Sequence, residues 1–205
     1  MIPHAIAASL RLLTGAQARW IGCDPHPRPR VYFANHTSHL DGPTLWATLP
    51  PELRSRTRPI AARDYWSSSR LRKYLAERVF HAILVERKRP TPRDNPLDRM
   101  LEALDAGESL ILFPEGGRHS GTDPAPFQCG LYHLAKKRPE IELVPTLLDN
   151  MNRILPKGEF LPVPLISSVT FGPPVRLETG EPRDPFLART REAVIGLRTL
   201  RRTGI

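Results

Sequence analysis

The sequence predicts an α/β domain: a mostly parallel central sheet flanked by helices, preceded by an N-terminal amphipathic helix. Two observations carry that expectation. Short apolar runs at residues 31–34, 59–62, 79–85, 109–113 and 141–147 alternate with segments of helical periodicity, the pattern of strands joined by crossover helices. The 205 residues, 40% of them hydrophobic, suffice for one domain with a core, and no apolar run reaches the ~20 residues of a spanning helix. The expected organisation is a single domain over residues 1–205, with an amphipathic helix at 1–22, a core at 30–175 and a C-terminal helix at 184–203.

In chain order, residues 2–21 place Ile2, Ile6, Leu13 and Trp20 on one helical face, with His4, Arg11, Gly15 and Arg19 opposite. Such a helix either packs on the domain or lies in a membrane interface, with Trp20 at the headgroups and arginine against anionic lipid. Residues 23–30, holding three prolines, connect it to the first strand at 31–34. Thr37 or Ser38 then caps a helix that opens near His39 and runs through Leu45, Trp46 and Ala47. Residues 59–62 give a second strand, 65–78 a helix carrying Leu71, Tyr74 and Leu75, and 79–85 a third strand. Asn95-Pro96 opens the next helix with a cap and a first-turn proline, and Gly107 closes it. Residues 109–113 are a buried strand, 127–138 a helix stopped by Pro139, and 141–147 another strand. A polar, proline-rich excursion covers 150–164, and 165–175 is a strand interrupted at Gly172-Pro173-Pro174. Asp184-Pro185 opens the last helix, which bears Phe186, Val194, Ile195 and Leu197.

The net charge is +9, so the chain favours anionic partners: nucleic acid, anionic lipid or phosphorylated substrates. Two cysteines without Cys-x-x-Cys spacing exclude a disulfide framework and fit a reducing compartment. The N-terminus has no basic leader followed by a long apolar stretch, so no signal peptide is expected.

His36 and Asp41 stand at the junction between the first strand and its helix. A neutral imidazole there can accept a hydroxyl proton while a nearby carboxylate fixes its tautomer and stabilises the imidazolium. The same residues also suit a plain capping or loop-satisfying role, or a metal site made by His36, His39 and Asp41. The metal pattern differs from the usual His-x-His-x-Asp-His alternation. A second glycine-rich junction, Pro114-Glu115-Gly116-Gly117-Arg118, follows the buried strand at 109–113. Its glycines admit a close ligand, its arginine offers a forked donor for phosphate, and it lacks the Gly-Lys-Ser/Thr ending of a nucleotide loop. Cys129 and His133 share a helical face, either as a thiolate–imidazole pair or as a buried cysteine beside a surface histidine. Ligands of parallel sheets bind beyond the carboxyl ends of strands, and His36, Arg63, Arg87, Glu115 and Arg118 all fall just after predicted strands.

Taken together, Asn35-His36-x-x-x-x-Asp41 and Phe113-Pro114-Glu115-Gly116-x-Arg118 resemble the two signature blocks of the glycerolipid acyltransferase family, which includes the 1-acylglycerol-3-phosphate acyltransferases. Val144-Pro145 resembles its later hydrophobic-proline block, and Phe127-x-x-Gly130 its helix-opening block. The resemblance covers residues 30–175 and implies a glycerolipid-acyltransferase-like fold with His36 as general base and Asp41 as its orienter. It implies that Glu115, Gly116, Gly117 and Arg118 form the acceptor site. Arg63 joins them as a strand-end cation, and Arg87 resembles the arginine closing the family's middle block. It further implies no cofactor, an acyl thioester co-substrate on coenzyme A or acyl carrier protein, and a lysophospholipid acceptor. The partner surface is then an anionic membrane, met peripherally at its cytoplasmic face, and not nucleic acid. Gly117 stands where the family usually has threonine, and His119 precedes Ser120 where serine usually follows the arginine directly; both changes bear on the acceptor headgroup. Other readings are acylation of another lysolipid or an amino-lipid, a metal-dependent hydrolase using His36, His39 and Asp41, and a non-catalytic binder of anionic lipid or RNA.

Overall fold

The computed structural model describes residues 2–86, 95–119, 121, 123–151 and 167–202. The chain runs α1 (Ile2–Thr14), β1 (Gln17–Trp20), β2 (Arg30–Ala34), α2 (Asp41–Thr48), α3 (Pro51–Arg54), β3 (Thr57–Ala62), α4 (Arg63–Trp66) and α5 (Arg70–Tyr74). A π-helical turn (Leu75–Val79) leads to β4 (Ile83–Val85), α6 (Pro96–Asp105), β5 (Ser109–Leu112), α7 (Gly130–Lys137), β6 (Glu142–Asp149), β7 (Ser168–Phe171) and α8 (Arg183–Arg202). The strands form one sheet in the order β1-β7-β6-β2-β5-β3-β4. All neighbours are parallel except β6 and β7.

Every residue of β2 is buried, as expected of a central strand covered on both faces. Its alternate side chains serve two cores. Val31 and Phe33 join Leu110, Leu143 and Leu147 beneath α6, α7 and α8. Tyr32 and Ala34 join Ile111, Val144 and the apolar side of α2 on the other face, as the period-2 geometry of a strand requires. The α/β class with its N-terminal helix agrees with the sequence expectation.

Several boundaries differ. The amphipathic helix stops at Thr14, whose hydroxyl bonds the Leu10 carbonyl, and Gly15 turns away at φ 56, a region open to glycine. Residues 17–20 become an edge strand, and Trp20 stacks on Phe171 with ring centroids 4.0 Å apart, so it is not on the helix face at all. Within α1, Ile6, Ala7 and Leu10 pack on the core, while Ile2, Leu12 and Leu13 are exposed. The helix expected at 65–78 is broken into α4, α5 and the π-helical turn, because Ser69 caps a fresh start by accepting the Arg72 N–H. The strand expected at 79–85 shortens to Ile83–Val85, since Val79 and Phe80 are buried in the core and His81 turns the chain at φ 49. In the run 127–138 only Gly130–Lys137 is helical; Phe127 instead packs edge-on against Phe33. Most of the excursion expected at 150–164 lies outside the described residues.

Candidate active site

Strand register brings the two motif junctions together. Phe33 of β2 stands opposite Leu112 of β5, so His36 and Glu115, equally far beyond those partners, emerge side by side. Asn35 extends the pairing of β2 with β6 past the last backbone rung. Its amide nitrogen donates to the Leu148 carbonyl at 2.9 Å, and its oxygen accepts the Leu148 N–H at 2.8 Å. His36 is then held by its own peptide: its N–H donates to Glu115 Oε1 at 2.6 Å, and its carbonyl accepts the His119 N–H at 3.0 Å.

The imidazole Nδ1 lies 2.8 Å from Asp41 Oδ2. That oxygen already accepts the N–H groups of Thr37 at 2.6 Å and Ser38 at 2.8 Å. An acceptor so engaged assigns the proton to Nδ1 and leaves the Nε2 lone pair for chemistry. Asp41 has no exposed side-chain surface, against 23% for His36, and it opens α2, where a negative charge is favoured. The expected caps, Thr37 and Ser38, thus donate their backbone N–H groups to Asp41, and the Ser38 hydroxyl accepts the Leu40 N–H at 3.3 Å at the helix entry. Phe113 stacks on the His36 ring at 4.3 Å and fixes its plane.

His39 turns elsewhere. It stacks on Tyr65 at 4.5 Å, and the Arg72 guanidinium sits 4.6 Å from the same ring. Burial, followed by the nearby cationic Arg118 and Arg72, lowers its pKa to about 4, so it is neutral at physiological pH. Among the described residues no group of three or more His, Cys, Asp or Glu is placed to hold a metal ion, and His36, His39 and Asp41 do not converge on one.

The Nε2 side of His36 belongs to a cavity of about 660 Å³. One part of its wall is polar, with His36, His39, Glu115 and Arg118; another is apolar, with Ile60, Phe80, Met100 and Leu131. Arg118 is half-buried and has no ion-pair partner among the described residues. Gly116 makes the turn at φ 72. At Gly117 a Cβ would meet nothing within 4 Å, so the wall beside Arg118 has open space.

Three further residues stand out in the sequence. Arg63 does not line this cavity; it faces an outer cleft, where its guanidinium reaches the Leu84 carbonyl at 3.2 Å and Glu86 at 3.7 Å. The cause is α4, which begins at Arg63 and turns the side chain toward β4. Arg87 lies outside the described residues. Cys129 is exposed and lines the cavity, and its bond to His133 is the ordinary backbone one of the first helical turn. Sequence reasoning missed Asn35 as a strand bridge and the aromatic wall of Tyr65, Trp66 and Phe80. Adjacency to His36 signalled the first, whereas nothing in local periodicity signals the second.

The family model described as Acyltransferase matches residues 22–149, a span that contains both motif junctions and the cavity walls between them. The chain belongs to the acyltransferase family. Among relatives within that family, the 1-acyl-sn-glycerol-3-phosphate acyltransferases of Limnanthes alba and Limnanthes douglasii are each 24% identical over 177 residues. The match covers 85% of this chain and 60% of each plant protein. The chain therefore spans 60% of the length of those curated relatives. The crystal structure of the 1-acyl-sn-glycerophosphate (LPA) acyltransferase PlsC from Thermotoga maritima superimposes with a TM-score of 0.76 at 17% identity, covering 98% of this chain and 78% of that one. At this identity the likeness speaks to the acyltransferase fold.

Proposed function

We propose that the chain moves a fatty acyl group from an acyl thioester, acyl-CoA or acyl-ACP, to the free hydroxyl of a lysophospholipid. The foremost acceptor is 1-acylglycerol-3-phosphate, giving phosphatidate. One observation carries the reading: an Asp41-oriented imidazole opens on a cavity that joins the Arg118 guanidinium to apolar walls. Lysophosphatidate has the matching parts, a phosphate, a hydroxyl and a hydrocarbon chain.

His36 Nε2 takes the hydroxyl proton as the acceptor oxygen attacks the thioester carbonyl. The tetrahedral adduct collapses to the ester and expels the thiolate, which leaves as the thiol with the proton held on His36. Positioned base catalysis of this kind contributes typically ~10²–10⁴-fold. Asp41 stabilises the transient imidazolium, and Arg118 grips the phosphate through two parallel charge-assisted bonds. No covalent acyl-enzyme is required, so Cys129 has no chemical role in this route. The space beside Gly117 accommodates headgroups larger than a bare phosphate. The exposed Ile2, Leu12 and Leu13 of α1 give a peripheral contact with the cytoplasmic membrane face; no described helix is long and apolar enough to cross a bilayer.

The test is thiol release by the purified chain from one acyl-CoA and one acyl-carrier-protein donor, with lysophosphatidate and other lysolipids as acceptors. The expected result is acceptor-dependent release that a folded His36→Ala variant loses. Release that ignores every lysophospholipid acceptor, or near-normal turnover by folded His36→Ala, refutes the proposal.

A further inference from the structure

Glu115 sits in the second motif junction, yet its carboxylate faces away from solvent and into the backbone. The residue is 5% exposed, and both oxygens are engaged. Oε1 accepts the His36 N–H at 2.6 Å, and Oε2 accepts the Ala125 N–H at 2.7 Å. The two donors come from different parts of the molecule. His36 carries the base, whereas Ala125 belongs to the segment leading to Gln128, Cys129 and Gly130 of the cavity wall.

We propose that Glu115 is a positioning residue, whose carboxylate clamps the backbone of His36 to the segment 123–127 that leads into the cavity wall and does not contact the acceptor. The proposal rests on His36 being the base. Three neighbouring bonds complete the clamp: the His119 N–H holds the His36 carbonyl at 3.0 Å, the Gln128 N–H holds the Pro114 carbonyl at 2.7 Å, and the Gly116 N–H closes a turn on the Phe113 carbonyl at 3.1 Å. The motif loop is thereby strung between base and far wall, with Glu115 at its midpoint. Only a carboxylate of this length fits the task. Glutamine offers one acceptor oxygen, and its NH2 meets the other N–H donor head-on; aspartate is a methylene too short to span both. Two charge-assisted bonds are stronger than neutral ones, and a base displaced by about 1 Å loses on the order of 10² in rate.

The test uses the full chain with Glu115→Gln, and Ala125→Pro as a second variant. Proline deletes the Ala125 N–H and no side chain of the cavity wall, since Ala125 is not part of that wall. For Glu115→Gln, kcat should fall on the order of 10²-fold with acceptor KM within about two-fold of wild type. Amide hydrogen exchange, read by mass spectrometry, should quicken together in peptides covering 31–41 and 121–129 and nowhere else. Ala125→Pro should lower kcat in the same sense and quicken exchange in 31–41. A raised acceptor KM at unchanged kcat, or unchanged exchange at 31–41 in either variant, overturns the clamp. If the wild-type chain transfers no acyl group, the proposed function fails, and the exchange measurements alone decide the clamp.

Discussion

Replacing Asp41 with asparagine separates orientation of the base from charge on its partner. Oδ2 serves three donors, the His36 Nδ1–H and the N–H groups of Thr37 and Ser38, while buried Oδ1 serves none. An amide therefore has one workable placement, its oxygen at the Oδ2 position, because the reverse aims NH2 at two N–H donors. The imidazole keeps its tautomer and its plane. Bonds to a charged acceptor are roughly twice as strong as neutral ones, so each of the two backbone bonds weakens by about 1 kcal/mol, and the stranded NH2 costs about 1–3 kcal/mol more. Stability should thus fall by roughly 3–5 kcal/mol. The bond to the ring acts later, when His36 becomes imidazolium. A unit charge pair about 4 Å apart at an effective dielectric near 20 is worth about 4 kcal/mol, and partial retention by the amide dipole leaves a loss of about 2–3 kcal/mol. That corresponds to a rate lower by roughly 30- to 200-fold. His36→Ala, which removes the base outright, should lose more. Thiol-release kinetics at a temperature where thermal melting shows Asp41→Asn still folded make the comparison. Wild-type turnover would reduce Asp41 to a helix-start residue, and a folded Asp41→Asn as slow as His36→Ala would show that the amide fails to orient the ring.

Three other outcomes are expected. Arg118→Lys should raise the acceptor KM more than the donor KM, since an ammonium cannot make the paired bonds of a guanidinium; a change confined to the donor removes Arg118 from the acceptor site. His39 has a pKa lowered from 6.5 to about 4, so the folded state resists protonation. Its contribution to stability is complete above pH 6.5 and lost as pH falls toward 4, and denaturant titrations of His39→Phe, which keeps the ring stack, should show a shallower decline over that window. An identical decline means His39 titrates normally. Leu12→Asp with Leu13→Asp should reduce partition onto anionic vesicles without lowering the melting temperature, both side chains being exposed; unchanged partition places the membrane contact elsewhere.

The central features were legible because they depend on short-range pattern. Val31–Ala34 and the run at 110–113 are apolar throughout, and parallel strands buried on both faces read that way; the residues that follow them then land at one sheet edge. Trp20 was misplaced for a related reason. The segment continues a helical wheel past Gly15, and only pairing with β7, far along the chain, turns it into a strand. Arg63 and Glu115 show the limit at the site itself. A sequence places a residue beyond a strand, but the turn that follows decides whether its side chain faces a ligand, an outer cleft or the backbone of a neighbour.

The edge strand β1 has a consequence for how the molecule is made. Gln17 pairs with Ser168, so roughly 150 residues must be synthesised before β1 finds its partner, about 8–30 s at ribosomal rates of about 5–20 residues per second. For that interval Trp20 lacks Phe171 to stack on, and α1 is tethered to a strand with no sheet. Contacts this distant in sequence form late and slow the search for the native arrangement. The nascent N-terminus thus spends its early life with apolar side chains uncovered, a period in which a nearby bilayer or a chaperone offers the surface that the unfinished sheet cannot.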